Sequence, residues 1–232
     1  MRRTAVYIDG YNLYYGRLRS TSHKWLDVVS LFEALVGMQD AGATVDAIKY
    51  FTAHALANFA THGGDSVIAQ QSYHRALHAL HGSRLEMTYG THSFDRKGTL
   101  LPTFVPGQPY DRTVRSRVWK LEEKQTDVNI ALTMYRDVAK GKYDQVVICS
   151  NDSDAEPALA ALKQDFPGVT IGIVTPVPPP MPDGRSPRGV STALSRHADW
   201  TRRYILDSEL AAAQLPLRVN TPKKPISKPA HW

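Results

Sequence analysis

Residues 143–157 read YDQVVICSNDSDAEP, a short apolar run followed at once by two aspartates, Asp152 and Asp154. A nearly continuous apolar run of this length is typical of a strand that is covered on both faces of a parallel sheet. Two carboxylates one residue apart repel each other, and a simple solvated turn needs only Gly, Asn or Ser. The stretch therefore predicts a buried strand whose carboxyl end carries a charged site.

The segments on either side of this stretch alternate between strand and helix patterns. Strands are predicted at 4–10, 45–55, 84–94, 143–150 and 169–176, and helices at 26–38, 66–82, 121–141 and 156–166. This order predicts an α/β fold with a doubly wound, mainly parallel sheet and helices on both faces. In such a sheet the ligand site lies beyond the carboxyl ends of the strands, where the strand order reverses.

The pattern changes after residue 175. A proline-rich loop is predicted at 175–189, a short helical stretch at 201–216 and a basic tail at 217–232. We expect residues 1–175 to form the α/β domain and residues 176–232 to pack on it. About twenty-five irregular residues after the third strand are too many for a plain connection, which indicates a functional loop or an insertion.

The composition limits the class of protein. Its 232 residues are 42% hydrophobic and 22% charged, which is ordinary for a globular chain and argues against wholesale disorder. No apolar run approaches the roughly 20 residues that span a bilayer, so no membrane association is expected. Cys149 is the single cysteine, so no internal disulfide can form, which indicates a reducing cytoplasm. Cys149 itself is expected to be a small core residue. The formal charge of +6 favours a polyanionic partner such as nucleic acid.

Two further aspartates are predicted to reach the same edge of the sheet. Asp9 ends the first strand, and Asp127 lies near the start of the helix that leads to the fourth strand. Each aspartate also has an ordinary interpretation: Asp9 as a turn residue, Asp127 as a partner of the helix dipole and Asp154 as a helix cap. Their meeting at strand ends that are expected to be adjacent favours a shared site.

Four carboxylates in one place require a counter-charge. Hard oxygen donors of this kind suit Mg²⁺ or Mn²⁺, which would neutralise their repulsion. Such a cation would bind a phosphate and activate a water for in-line attack. Asn12, three residues after Asp9, is placed to orient the water, the phosphate or a carboxylate.

Three stretches resemble a known family, in family order along the chain. They are AVYIDGYNLYYG (5–16), KQTDVNIALTMYRDVAKGKYDQVVICSNDSDAEP (124–157) and PISKPAHW (225–232), and they resemble the NYN domain family, a branch of the PIN-like nucleases that includes the LabA-like proteins. The resemblance implies a metal-dependent ribonuclease with a parallel sheet, an acidic cluster that binds Mg²⁺ or Mn²⁺, and RNA rather than DNA as the substrate.

The resemblance also implies roles for individual residues. The implied metal-binding and catalytic carboxylates are Asp9, Asp127, Asp152 and Asp154, with Asn12 and Asn151 as polar neighbours and Lys124 and Ser150 in support. Two positions depart from the family pattern. The family commonly has glycine at the position of Gln125, and a large apolar residue at the position of Ala155.

The long irregular segment has the composition of a nucleic-acid-binding surface. Basic groups that track phosphates alternate there with aromatic side chains that can stack on unpaired bases. The predicted contacts are Arg112, Arg115, Arg117, Lys120 and Lys124, interleaved with Phe104, Tyr110 and Trp119. The alternative is a solvated loop whose aromatic residues hold it to the core.

Other interpretations of the chain are weaker. A catalytically inactive RNA-binding or regulatory scaffold would keep the same fold and cluster. A receiver-like phosphorylation switch needs an aspartate at the end of the middle strand, and Asp95 lies beyond it. A haloacid-type phosphatase needs Asp-x-Asp at the first strand, which IDGYN lacks. His74, His78 and His81 share a helical face with zinc-compatible spacing, although an ordinary exposed face is the default.

Overall fold

A computed structural model describes residues 1–181, 183 and 189–232 of the protein. Its strands are β1 (Arg2–Asp9), β2 (Ala43–Thr52), β3 (Leu85–Tyr89), β4 (Thr91–Phe94), β5 (Thr99–Pro102), β6 (Arg115–Val118), β7 (Leu121–Lys124), β8 (Gln145–Cys149), β9 (Thr170–Val174), β10 (Trp200–Arg202), β11 (Arg218–Val219) and β12 (Ile226–Ser227). Its α-helices are α1 (Gly10–Leu13), α2 (Val28–Gln39), α3 (Gly64–His81), α4 (Thr126–Ala139), α5 (Glu156–Asp165), α6 (Thr192–Ser195) and α7 (Asp207–Ala212).

The centre of the molecule is a six-stranded sheet in the order β10-β9-β8-β1-β2-β3. Every neighbouring pair in it is parallel, so the predicted doubly wound α/β fold is confirmed. The chain first builds the sheet from β1 towards β3 and then returns to build it from β8 towards β10. The strand order therefore reverses between β1 and β8, which is where a ligand site is expected in this fold.

Both faces of the sheet are covered by helices. Along β1, Val6 and Ile8 point into the core beneath α2 and α3, and Ala5 and Tyr7 point into the core beneath α4 and α5. Side chains alternate between the faces of a strand, so a strand buried on both sides must be apolar throughout. This burial holds the carboxyl ends of β1 and β8 on a rigid base.

The structure corrects two predicted boundaries, one at residue 90 and one at residue 126. The strand predicted at 84–94 divides at Gly90: β3 stays in the main sheet, and β4 leaves it to pair antiparallel with β7. A Cβ at Gly90 would lie 2.5 Å from the Lys124 carbonyl oxygen, so the crossing needs glycine. The helix predicted at 121–141 begins at Thr126, because Gln125 has a φ of 80° that interrupts regular structure.

Residues 91–124, here called the arm, contain the predicted insertion. Two antiparallel ladders run along it, β4 with β7 at its base and β5 with β6 further out. The segment is therefore a β-structured extension, whereas the sequence indicated irregular structure. It joins the main sheet next to the carboxyl end of β3.

The C-terminal part adds an unpredicted strand and packs on the core. Residues 200–202, at the edge of the predicted helical stretch, form β10, and the helix itself is confined to α7. Beyond it, Val219 and Ile226 are buried. Trp232 packs against Tyr73 with the ring centres 5.5 Å apart. Of the proline-rich loop, Pro182 and residues 184–188 lie outside the described residues.

Within the described ranges, no helix is long and apolar enough to cross a bilayer.

Candidate active site

Asp9 is the most buried carboxylate at the edge where the strand order reverses. It ends β1 and is 3% exposed. The side chain accepts hydrogen bonds from the Asn12 backbone N–H at 2.9 Å, from Asn12 Nδ2 at 2.6 Å and from the Ser150 hydroxyl at 3.1 Å. Burial nevertheless raises the pKa of Asp9, and the charge of Asp152 raises it further. The site therefore holds a carboxylate whose negative charge is only partly compensated.

Asp152 and Asp154 follow β8 at the same edge. Asp152 accepts a hydrogen bond from the Asp154 backbone N–H at 3.1 Å and so caps the 3₁₀ turn Ser153–Ala155. Its own backbone N–H donates to the Ser150 hydroxyl at 3.1 Å. The sequence offered Asp154 as a cap of the helix that follows, but α5 begins after Ala155 without a side-chain cap, so this interpretation is wrong. Asp154 itself is exposed and faces solvent at the mouth of the site.

Asp127 brings the fourth predicted carboxylate to the cluster. It lies in the first turn of α4 and is half-buried. Burial raises the pKa of Asp127 to about 6, and the charges of Asp9, Asp152, Glu123 and Asp154 contribute to the rise. Because the charges of the other three aspartates reach Asp127, the four predicted carboxylates lie near one another at this edge.

Glu123 is a member of this acidic group that the sequence analysis missed. It lies at the end of the arm in β7, and its charge also raises the pKa of Asp127. Its Oε1 accepts a short hydrogen bond from the Thr126 hydroxyl. Glu123 precedes Asp127 by four residues, a spacing that brings side chains together on a helix, and the sequence predicts a helix over 121–141. The spacing could therefore have pointed to Glu123, although residues 121–124 form β7 in the structure.

The donor set suits a hard divalent cation in its chemistry. None of the four aspartates forms an ion pair with a basic side chain in the described part of the chain. Buried next to them, Asn12 Oδ1 has no hydrogen-bond partner among the residues that the structure describes. Unneutralised carboxylates and an unpaired amide oxygen are the ligands that Mg²⁺ and Mn²⁺ prefer.

These side chains do not converge on a single point. Among the described residues, no three His, Cys, Asp or Glu side chains are arranged to hold a metal ion as they stand. Asp9 and Asp152 are engaged by neighbouring N–H and hydroxyl groups, whereas Asp127 and Asp154 make no side-chain hydrogen bond within the described ranges. Closure around a cation would therefore require side-chain rotation, chiefly of Asp127 and Asp154.

All five residues that are predicted to contact nucleic acid lie in the arm, but they differ in whether their side chains already have partners in the protein. Arg117 donates hydrogen bonds of 2.9 Å to the carbonyls of Lys97 and Gly98, which ties it to the arm. Lys120 and Lys124 flank Glu122, at 2.5 Å and 3.0 Å. Arg112 and Arg115 are exposed and have no acidic partner in the described part of the chain.

The aromatic side chains of the arm differ in whether they hold it to the rest of the domain. Phe94 packs edge-on against Phe59, outside the arm, with ring centres 4.7 Å apart, whereas the rings further along the arm are exposed. Phe104 is 86% exposed and Tyr110 is 81% exposed. Trp119 is 70% exposed and stacks on Phe94, with ring centres 5.3 Å apart, inside the arm itself. Flat exposed rings next to unpaired arginines form a surface suited to single-stranded nucleic acid.

A cavity of about 580 Å³ opens beside the carboxylates. We call it the aromatic cavity; its walls include Tyr11, Tyr14, Tyr15, Tyr50, Phe59, Tyr73, His231 and Trp232. Gly10, which directly follows Asp9, and Glu123 also line it, so the cavity borders the acidic cluster, although none of the four aspartates is among its lining residues. The sequence alone does not indicate this enclosed space, because its walls come from segments that are distant along the chain.

Three other candidates have structural explanations. Asn151 accepts from the Ser191 N–H and donates to the Gly189 carbonyl, both at 2.8 Å, which fixes the chain after the proline-rich loop. His74 is buried against the Tyr89 hydroxyl, and burial lowers the pKa of His74 to about 4. Cys149 is buried in the core, and no zinc-type cluster is formed by the histidines of α3 in the described residues.

The chain is similar to a known domain family, to a curated relative and to a solved structure. The family model of the NYN domain matches residues 3–199. A curated relative from Pseudomonas putida (strain DSM 28022 / S16), named 6-hydroxy-3-succinoylpyridine 3-monooxygenase HspA, is 40% identical over 243 residues, which span 99% of this chain and 75% of the relative. A solved structure of a protein of unknown function, VPA0982 from Vibrio parahaemolyticus RIMD 2210633, aligns with a TM-score of 0.49 at 16% identity, covering 89% of this chain and 94% of that one.

NYN domains are PIN-like and nuclease-like, and they act on nucleic acids. The match extends over β1, α4 and β8, which position the four aspartates. Together with the relative that aligns along nearly the whole chain, it shows that the protein belongs to the NYN domain family.

Proposed function

We propose that the protein is a metal-dependent nuclease that hydrolyses phosphodiester bonds, with RNA as its substrate. The observation that carries this proposal is the meeting of Asp9, Asp127, Asp152 and Asp154 at the edge where the strand order reverses, without a basic partner among the described residues. Structural carboxylates are normally paired, because unpaired negative charges in a half-buried site destabilise the fold. At functional sites, unpaired carboxylates are often retained although they destabilise the fold.

Within this proposal the four aspartates hold Mg²⁺ or Mn²⁺. When bound, the cation supplies Lewis acidity for the phosphodiester and makes the attacking water more acidic. Asn12 and Ser150 keep Asp9 in one orientation by donating hydrogen bonds to it. The pKa of Asp127, about 6 in the metal-free protein, would fall when a cation binds, because the positive charge favours the ionised carboxylate.

The arm supplies the substrate surface in this proposal. Arg112 and Arg115 have no acidic partner among the described residues and would pair with phosphates, although Arg115 Nε also donates to the Arg112 carbonyl at 3.1 Å. Phe104 and Tyr110 offer faces for unpaired bases. This combination favours single strands over duplexes, whose bases are already stacked. RNA is proposed over DNA on the strength of the family resemblance.

The test is cleavage of labelled single-stranded RNA and of DNA with the same sequence, in Mn²⁺, in Mg²⁺ and in EDTA. We expect cutting that requires the divalent ion and falls at least about a hundredfold in Asp152→Asn, because a missing charge weakens the metal site. Asp46→Asn is the matched control, since Asp46 is exposed in the first half of β2, away from the cluster. Binding of RNA without cleavage in any ion would support the inactive scaffold instead.

A second candidate is a monooxygenase that acts on a small hydroxypyridine. The name of the Pseudomonas putida relative and the aromatic cavity beside the cluster favour it. Incubation of the protein with 6-hydroxy-3-succinoylpyridine, O₂ and a reduced nicotinamide would test it, because a monooxygenase needs two electrons to reduce the second oxygen atom to water. Product formation that survives Asp152→Asn would separate this activity from nucleic-acid cleavage.

A further inference from the structure

The aromatic cavity has the size and composition of a site for a planar ligand. Its volume of about 580 Å³ lies within the range of pockets that enclose small organic molecules, roughly 300–1,000 Å³. Tyr11 and Tyr15 stack with their ring centres 5.7 Å apart, and Tyr15 meets Tyr14 edge-on at 5.1 Å. A wall of tyrosine rings favours a flat aromatic ligand.

Two polar groups that line the cavity lack a hydrogen-bond partner among the described residues. Tyr50 is 6% exposed, yet its hydroxyl makes no hydrogen bond to another described residue. Nε2 of His231 is buried and also lacks a partner among the described residues. Buried polar groups such as His231 Nε2 are rarely left unpaired. A ligand with hydrogen-bonding edges would pair with this nitrogen and with the Tyr50 hydroxyl, which lines the cavity.

Most other polar groups of the cavity are already used, which limits what a ligand can contact. Gln70 bonds to the backbone of Ala53 and Ala55, the Tyr73 hydroxyl donates to the Leu26 carbonyl, and the Tyr11 hydroxyl pairs with His92. The ligand would therefore be held by ring faces and by few hydrogen bonds.

Two cations belong to the same cavity. Arg19 is exposed and lies over the Tyr15 ring at 5.4 Å from its centre, and Lys24 is half-buried. Neither forms an ion pair with a described residue. A ligand that combines a flat heteroaromatic ring with a phosphate would use both the rings and the cations.

We propose that the aromatic cavity binds one unpaired base of a polynucleotide, with the adjacent phosphate lying at the acidic cluster. This inference rests on the proposed nuclease function and adds its substrate requirement. Because the cavity borders the acidic cluster at Gly10 and Glu123, the base would lie next to the carboxylates that would act on the phosphate. A base inside a duplex cannot enter, so the cavity requires a single strand or an extruded nucleotide.

The test measures binding without cleavage. Fluorescence anisotropy in EDTA would compare a labelled hexaribonucleotide with six versions that each carry one abasic residue. We expect the abasic residue to weaken binding about 5- to 100-fold at one position and far less elsewhere, because a stacked base contributes on the order of 1–3 kcal/mol. Equal affinity at all six positions would overturn the proposal.

Two variants connect that position to the cavity. Tyr50→Phe and His231→Ala each remove one unpaired group, and each should weaken the intact hexamer about three- to tenfold while leaving the abasic version unchanged. Tyr135→Phe is the matched control, because the Tyr135 hydroxyl donates to Asp165 near α5, on the opposite face of the sheet. Unchanged affinity in both cavity variants would also contradict the proposal.

The result can be told apart from failure of the nuclease proposal. Base-dependent binding without metal-dependent cleavage would keep the base site and remove the nuclease. Metal-dependent cleavage without any effect of the abasic residue on binding would keep the nuclease and remove the base site. Tyr50-dependent binding of free 6-hydroxy-3-succinoylpyridine, with no abasic effect in the hexamer, would assign the cavity to a small heteroaromatic molecule and overturn the base site.

Discussion

The hydroxyl of Ser150 donates a 3.1 Å hydrogen bond to the carboxylate of Asp9 and so joins the carboxyl ends of β8 and β1. These are the two strands between which the sheet order reverses. Ser150 also accepts the Asp152 backbone N–H at 3.1 Å, so one hydroxyl contacts two of the candidate metal ligands. Ser150 therefore sets the position of Asp9 relative to the turn that carries Asp152.

Replacing Ser150 should weaken the metal site without removing a ligand. In Ser150→Ala we expect the Mn²⁺ concentration for half-maximal cleavage to rise about 10- to 100-fold, the usual cost of losing a group that orients a ligand. A metal titration of RNA cleavage measures this. Ser153→Ala is the control, because Ser153 is exposed and its hydroxyl contacts neither aspartate. An unchanged Mn²⁺ requirement in Ser150→Ala would show that Asp9 needs no such support.

Neutralising Asp127 should stabilise the metal-free protein. The folded state raises the pKa of Asp127 from 3.8 to about 6, so holding the charge there costs free energy. This cost is present in full above pH 6 and disappears below about pH 4, where the carboxyl is protonated in both states. Because Asp127 is half-buried and partly screened, we expect Asp127→Asn to raise the free energy of unfolding at pH 7.5 by about 1–2 kcal/mol.

Urea unfolding in EDTA at several pH values would measure that difference. The gain in the free energy of unfolding caused by Asp127→Asn should decrease as the pH falls from about 6 to 4. Added Mn²⁺ should stabilise the wild type more than the variant. Asp144→Asn should instead lower the free energy of unfolding at pH 7.5, because the Arg3 guanidinium beside Asp144 lowers the pKa of that carboxyl to about 2 and so favours its charged form. A variant at position 127 that is less stable than the wild type at pH 7.5 would refute the repulsion argument.

Gln125 holds a backbone conformation that favours glycine. Its φ of 80° lies in the left-handed region, at the position where the family commonly has glycine. Left-handed backbone costs an L-residue about 1–2 kcal/mol, so Gln125→Gly should stabilise the fold by about 1 kcal/mol. Thermal or urea unfolding measures the change.

The reverse experiment is available at Gly141. Its φ is 63° and an added Cβ would meet nothing within 4 Å, so Gly141→Ala introduces backbone strain without a clash. It should destabilise the protein by about 1 kcal/mol. A loss of stability in Gln125→Gly would mean that the side chain, whose Oε1 lies 3.4 Å from the Thr91 hydroxyl, holds the base of the arm.

The parts that the sequence predicted are those governed by local pattern. The apolar runs around Val147 and Ile8 identify strands buried on both faces, and parallel topology then brings the residues that follow them to one edge. That is why Asp9 and Asp152 could be assigned to one site from the sequence alone. Asp127 was assigned to the same edge from its position at the start of the helix that leads to the fourth strand, and the family resemblance implied the same residue.

The parts that were missed depend on tertiary partners. LEEK, residues 121–124, has helix-favouring composition, but it becomes β7 because β4 supplies hydrogen bonds along its length. The three residues of β10 are too few to show a pattern, and they form a strand because β9 lies beside them. The aromatic cavity joins Tyr11, Tyr50 and His231, whose proximity no short stretch of sequence could show.

The two arginines of the arm that have no acidic partner among the described residues should determine how strongly RNA binding depends on salt. Each phosphate contact on a single strand contributes about 0.7 to the slope of log affinity against log salt concentration. Removing both in Arg112→Ala/Arg115→Ala should therefore lower the slope by about 1.4 and weaken binding at low salt. Anisotropy titrations of a labelled single strand in EDTA at several salt concentrations measure it.

Two variants distinguish arm contact from general charge. Arg136→Ala/Lys140→Ala removes the same charge from exposed positions on and directly after α4 and should leave the slope nearly unchanged. Arg117→Ala should weaken binding mainly by loosening the arm, since its guanidinium is already bonded to the carbonyls of Lys97 and Gly98. If the double variant of α4 lowers the slope as much as that of the arm, the attraction is nonspecific and the arm is not the binding surface.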